Sequence, residues 1–126
     1  MALELSVYRK EDENVVIIKM KGQLDTETHT QLLDKAKQLI TKSVTGMILD
    51  LEGLEYVSSM GISAILMIRK MFEEKNASFV MVNMPVQIVK VFEIVQALPD
   101  VRIFESMEEA DRYFMEIQQR AKEGGR

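Results

Sequence analysis

Met47 to Lys70 read "MILDLEGLEYVSSMGISAILMIRK": an apolar run, two serines and a glycine, then a second and longer apolar run. The first run, "MILDL", carries apolar side chains at both alternating parities, as in a strand buried on both faces, and "EGLEY" extends it. From Ile62 to Phe72 the apolar residues go nearly all the way round the first turns, and charge enters only at "EEK". That pattern predicts a helix that runs beneath a sheet and emerges at its end. Val57, Ser58, Ser59, Met60 and Gly61 are all that separates the two, so the stretch reads as strand, tight junction, helix, the repeating unit of an α/β domain.

The same alternation continues outward in both directions. Upstream, Leu3 to Tyr8 alternates in polarity, "RKEDEN" makes a charged turn, and Val15 to Met20 is a largely apolar strand, so the two strands read as a hairpin. After Gly22, "QLDTETHTQLLDKAKQLITK" places Leu32, Ala36, Leu39 and Ile40 on one helical face, with Asp25 set to cap the first turn. Gly46 then releases the chain into "MILDL". Downstream, Phe79 to Val82 is a strand, Asn83 and Pro85 start the helix "VQIVKVFEIVQAL", and Pro99 with Asp100 closes it. "VRIF" is a last short strand. The final segment opens with a capping box, Ser106 reaching toward Glu109, and puts Met107, Ala110, Phe114, Ile117 and Ala121 on one stripe. The expected architecture is one α/β domain over residues 1–121, with a mixed, mostly parallel sheet, an N-terminal hairpin and about four helices. Residues 122–126 are expected to form a flexible tail.

Composition narrows the function. The 126 residues carry 16 Lys+Arg against 20 Asp+Glu, a formal charge of −4 that gives no electrostatic reason to expect nucleic acid as a partner. With no cysteine and one histidine, zinc-thiolate sites and thiol nucleophiles are excluded, and a reducing, cytoplasmic setting is the expectation. No run approaches the ~18 apolar residues of a membrane span, and the N-terminus lacks a signal-peptide pattern. A glycine-rich phosphate loop is absent, and no residue calls for a nucleotide, metal or other cofactor.

The serine pair lies at the sheet end where open α/β folds meet ligands and partners. A hydroxyl in the first helical turn lies near amides without intrahelical partners, where a phosphoryl group finds donors and the positive end of the helix dipole. From the residues alone, several readings stay open. Ser58 serves as a helix cap, and Ser59 is either an ordinary first-turn residue or a regulatory site. Asp25 and Asp50 hydrogen-bond local amides, and Gly61 eases the turn or admits another backbone. An enzyme reading takes Ser59 as nucleophile and His29 as base, but no orienting group or oxyanion hole accompanies them, and His29 is expected to face solvent.

Taken together, "MILDLEGLEYVSSMGISAILMIRK", the upstream "GQLD" and the downstream "FVMVNMPVQIVKVFEIV" resemble the STAS family of bacterial anti-sigma factor antagonists, from Leu3 to about Phe114. In that family an aspartate is followed by a phosphorylated serine, then serine or threonine, then glycine, leucine and glycine. Here Ser59 matches the phosphorylated serine, Met60 the residue after it, Gly61 the first glycine, Ile62 the leucine and Ser63 the second glycine. Ser58 stands in place of the aspartate and offers an alternative acceptor. The family's G-x-(L/I)-D is present as Gly22, Gln23, Leu24 and Asp25, whose aspartate lies near the phosphoserine in family members.

The resemblance implies a non-catalytic binding module without a cofactor, a monomer when free. Its partner would be an anti-sigma factor that is itself a serine kinase with an ATP-binding fold. Binding would free a sigma factor, phosphorylation would weaken the complex, and a PP2C-type serine phosphatase would restore it. The partner-facing residues implied are Asp25, Ser58, Met60, Gly61, Ile62, Ser63 and Asn83. A STAS scaffold that docks independently of Ser59 phosphorylation is the alternative.

Overall fold

The computed structural model describes residues 2–10, 14–41, 43–95 and 102–123, of which 102 and 118–123 are described as backbone only. Five strands, β1 (Leu3–Lys10), β2 (Val15–Leu24), β3 (Gly46–Val57), β4 (Ser78–Val82) and β5 (Arg102–Phe104), form one sheet in the order β1-β2-β3-β4-β5. The first pair is antiparallel and the other three are parallel. Four helices alternate with them: α1 (His29–Leu39), α2 (Ser59–Glu74), α3 (Val86–Ile94) and α4 (Met107–Glu123). This is the mixed sheet with an N-terminal hairpin and four helices that the sequence leads one to expect.

The period-two rule explains the apolar runs. Val16, Ile18, Met20, Met47, Leu49, Phe79 and Met81 share a core with Leu32 and Ala36 of α1, with Ile65 and Phe72 of α2 and with Ile88 and Phe92 of α3. The intervening residues Val15, Ile17, Ile48, Val80 and Val82 pack with Ala110 and Phe114 of α4. Helices thus cover both faces, so these strand segments cannot alternate with polar residues. Each crossover moves one strand along in the same direction, and a constant hand then puts α1, α2 and α3 on one side. The second face has α4 alone, anchored by Phe114 against Gly46 and tied to β1 by the Lys10–Asp111 ion pair. Toward its other end that face is left open, and its residues become polar: Ser6, Lys19 and Asp50.

Several boundaries differ from the expected ones. β2 runs past Met20 through Gly22 to Leu24, whereas β3 includes the expected "EGLEY" extension and ends one residue later at Val57. Register shifts between Lys19 and Lys21 and between Gly22 and Gln23 let the two strands stay paired past the end of the apolar runs. α4 continues through Glu123, so Lys122 and Glu123 of the expected tail are helical. Residues 11–13 of the "RKEDEN" turn, residues 96–98 at the end of the expected third helix, the closing residues Pro99 and Asp100, Val101 and residues 124–126 lie outside the described residues. At the start of α4, Ser106 Oγ accepts from the Glu109 amide at 3.2 Å, while the Glu109 carboxylate reaches the amide of Glu105 at 3.3 Å. The capping-box bonds therefore satisfy two backbone donors, the return bond landing one residue earlier than in the usual form.

Candidate functional site

The serine junction is built on the paired ends of β2 and β3. Leu24 and Val57 are the last partners, and the Ser58 amide donates to the Leu24 carbonyl at 2.9 Å, so the chain leaves the sheet at a fixed point. Ser58 is extended (φ −92°, ψ 170°) and is the N-cap of α2. Its Oγ accepts from the Gly61 amide at 3.1 Å, and its carbonyl accepts from Ile62 at 3.0 Å. The hydroxyl of Ser58 is therefore committed to holding the helix start. Ser59 is exposed, and its hydroxyl has no hydrogen bond among the described residues. Its amide and that of Met60 belong to the first turn, which an α-helix leaves without intrahelical partners.

Gly61 explains the tightness of the junction. A Cβ there would lie 2.5 Å from the Leu24 carbonyl oxygen, 2.9 Å from Leu24 Cγ and 3.0 Å from Val57 Cγ2. Backbone approaches backbone at this point, and only glycine fits. The outward side of the same turns carries Met60, 44% exposed, then Ser63 and Met67 at helical spacing. Gly61 and Ile62 turn inward and are buried, so they position the exposed residues rather than present side chains themselves.

At the adjacent strand end, Asp25 caps the turn of residues 25–28 that leads into α1 rather than α1 itself, whose N-cap, Thr28, makes no side-chain cap bond. Asp25 Oδ1 accepts from the amides of Glu27 (3.0 Å) and Thr28 (3.1 Å). In return, the Thr28 hydroxyl accepts from the Asp25 amide (3.0 Å) and donates to the Gln23 carbonyl (2.8 Å). This is a reciprocal box with aspartate as cap and threonine three residues on, and it includes the buried Thr28, which the sequence reading passes over. The D-x-x-T spacing was the available signal. Partial desolvation raises the Asp25 pKa, but the bonds from the Thr28 and Glu27 amides and the Thr28 hydroxyl outweigh it and hold the carboxyl below its ordinary value.

A depressed folded-state pKa contributes stability above the unfolded-state pKa and loses it as pH falls through the folded value. Asp25→Asn is therefore expected to unfold at lower denaturant than the parent at pH 7, and the gap is expected to close below about pH 4. Equal midpoints at pH 7 would show that the box does not stabilise the turn into α1.

The remaining predicted residues lie apart from the serines. Asn83, with φ +57°, donates from Nδ2 to Asp50 Oδ1 at 3.2 Å, and its amide donates to the Phe104 carbonyl at 3.3 Å. Asp50 pairs with Val82 at the last rung between β3 and β4, whereas Ser58 follows the end of β3, eight residues later. Asn83 thus belongs to a separate polar group around Asp50. His29 Nδ1 lies 2.8 Å from the Thr26 carbonyl oxygen, a local contact within its own turn that makes no base for Ser59. Among the described residues no group of acidic or histidine side chains has the arrangement of a metal site, and no helix is long and apolar enough to cross a membrane.

Comparison with known proteins bears on the fold and the family. Among curated proteins none matches the sequence. Among solved structures, the Bacillus cell fate determinant SpoIIAA in its phosphorylated form is similar at 24% identity and TM-score 0.65, over 89% of this chain and 99% of that one. The anti-sigma factor antagonist SpoIIAA in its unphosphorylated form is similar at 23% identity and TM-score 0.66, over 89% and 97%. An anti-sigma factor antagonist from Mycobacterium paratuberculosis is similar at 13% identity and TM-score 0.79, over 90% and 95%. These likenesses establish the fold. The model of the STAS domain matches residues 7–110, most of the sequence, and the chain therefore belongs to the STAS domain family.

Proposed function

We propose that this protein is a cytoplasmic anti-sigma factor antagonist whose docking is switched by phosphorylation of Ser59. The observation that carries the reading is the division of labour between neighbouring serines: Ser58 Oγ is taken up by the Gly61 amide, and Ser59 Oγ is exposed and uncommitted. Ser59 is thus the better acceptor, and Ser58 the cap that holds it in place. Unmodified, the first turns of α2 offer a neutral hydroxyl between Met60 and Ser63, with the Asp25 strand end beside it, to an anti-sigma factor. That partner is proposed to be a serine kinase, and its bound ATP transfers the γ-phosphoryl group to Ser59 Oγ, releasing ADP and the hydroxyl proton.

The modified surface carries about −1.5 to −2 extra charges at neutral pH. A patch that buried a neutral hydroxyl must then desolvate a dianion or leave it unpaired, so the complex weakens without any change of fold. A PP2C-type phosphatase reverses the step. The chain itself supplies no cofactor and catalyses nothing.

Incubation with the cognate kinase and ATP, followed by mass-spectrometric mapping, is expected to place the phosphate on Ser59. Ser59→Asp is expected to weaken anti-sigma factor binding at least about tenfold, roughly 1.4 kcal/mol, while Ser59→Ala retains it. A phosphate found elsewhere with Ser59 unmodified would refute the site. Unchanged affinity in Ser59→Asp would favour a scaffold that docks independently of phosphorylation.

A further inference from the structure

The open end of the α4 face holds a second group of residues unconnected with the serine switch. Tyr8 of β1, Ile17 and Lys19 of β2, Asp50 and Glu52 of β3 and Met107 at the start of α4 line a hollow of about 440 Å³. Its size lies within the range of small-ligand sites, and its walls combine an aromatic ring and aliphatic side chains with a few charged groups. Lys19, Asp50 and Glu52 also line the neighbouring hollow toward the start of α3.

Asp50 is the unusual member, because it is a carboxylate only 3% exposed. Its Oδ1 accepts from both the Glu52 amide at 3.0 Å and Asn83 Nδ2 at 3.2 Å. Among the described residues Oδ2 accepts no hydrogen bond, and it is not sealed off from solvent. Oδ2 is therefore the carboxylate oxygen of Asp50 left open to the hollow, and a cation there would make a charge-assisted hydrogen bond to it. Lys19 faces Asp50 across the β2–β3 pair but does not supply that cation. Its Nζ lies over the Tyr8 ring, 5.4 Å from the centroid, and no ion pair joins it to Asp50. The start of α4 would favour an anion, but Glu108 and Glu109 in its first turn offset the helix dipole.

We propose that this hollow binds a small organic cation, an arylalkyl ammonium, with Asp50 as its counter-ion. The ammonium donates to Oδ2. The apolar body lies against Ile17, Met107 and the Tyr8 ring, which already accommodates a cation in the form of Lys19. Glu52 adds a second negative charge at the rim, so the two carboxylates outnumber the single Lys19 ammonium in the lining and the hollow is net negative. The site is independent of Ser59 and of the anti-sigma factor reading.

Benzylamine, protonated at pH 7, is the probe, with benzyl alcohol as its neutral counterpart and benzoate as the anion, each titrated into ¹⁵N-labelled full-length protein. Benzylamine is expected to give saturable shifts at the amides of Asp50, Glu52 and Asn83, and benzyl alcohol and benzoate are not. Asp50→Asn keeps Oδ1 as an acceptor and is expected to weaken benzylamine binding at least about tenfold. Tyr8→Ala, at a half-exposed position on the edge strand, is expected to weaken it as well and serves as the readout if Asp50→Asn does not fold. Equal binding of benzyl alcohol, unchanged affinity in the folded variants, or no saturation by about 10 mM benzylamine would overturn the proposal.

Discussion

Phe114→Ala is expected to lower stability by about 3–5 kcal/mol, the range for truncating a buried aromatic residue. Phe114 is 2% exposed and packs edge-on against Tyr113, with ring centroids 5.2 Å apart. It also fills the space beside Gly46, where a Cβ would fall 2.2 Å from its ring. Because α4 is the helix that packs on its face of the sheet, losing this ring exposes Ile48 and Val80 as well. Urea denaturation monitored by circular dichroism measures the change.

Gly46→Ala makes the same contact fail from the other side by driving a methyl group into the ring. The double variant is then expected to be less destabilised than the sum of the two single changes, since the new methyl occupies space vacated by phenyl. Additive effects would mean that Gly46 and Phe114 do not share one cavity.

The second large effect is expected at Gly61→Ala, a loss of about 2–3 kcal/mol, in the upper part of the range for overpacking a close contact. The neighbour that must yield is the Leu24 carbonyl, which accepts from the Ser58 amide, so relief of the clash breaks the hydrogen bond that joins the strand ends. Ser59→Ala, two residues away and exposed, is expected to stay within about 0.5 kcal/mol of the parent. The pair separates support of the junction from its signalling chemistry: Gly61→Ala shifts the denaturation midpoint, whereas Ser59→Ala removes the acceptor and leaves the midpoint in place. A Gly61→Ala midpoint equal to the parent's would mean that α2 is not held against β2 as described.

The fold was legible because its signals are local. Runs such as "VVII", "MILD" and "FVMV" have apolar residues at both parities, which requires cover on both faces, and the helical stripes of α1 and α4 repeat at the spacing of one face. Where polarity became mixed, the reading stopped early. Lys21 to Leu24 was not expected to be strand, yet it continues β2 and pairs with the "EGLEY" extension of β3 as far as Val57, because two register shifts absorb the mismatch. At the candidate site, the N-cap residue type pointed to Ser58, and a bond within three residues is the kind of feature a sequence can reveal. Thr28 escaped although its spacing from Asp25 matched a capping box, because neither of the residues usual in that motif flags it.

By itself, then, the order of residues determined the alternation of strands and helices, the hairpin, the serine pair at a strand-to-helix junction and the exclusion of cysteine chemistry. Only the tertiary structure decided that the Ser59 side chain is exposed, that Ile62 faces the core while Met60 faces out, and that Asp50 meets Asn83 across 33 residues of chain. The physical reason is range. Periodicity and capping act over two to four residues, whereas burial and the pairing of distant polar groups depend on which surfaces the packed sheet and helices bring together.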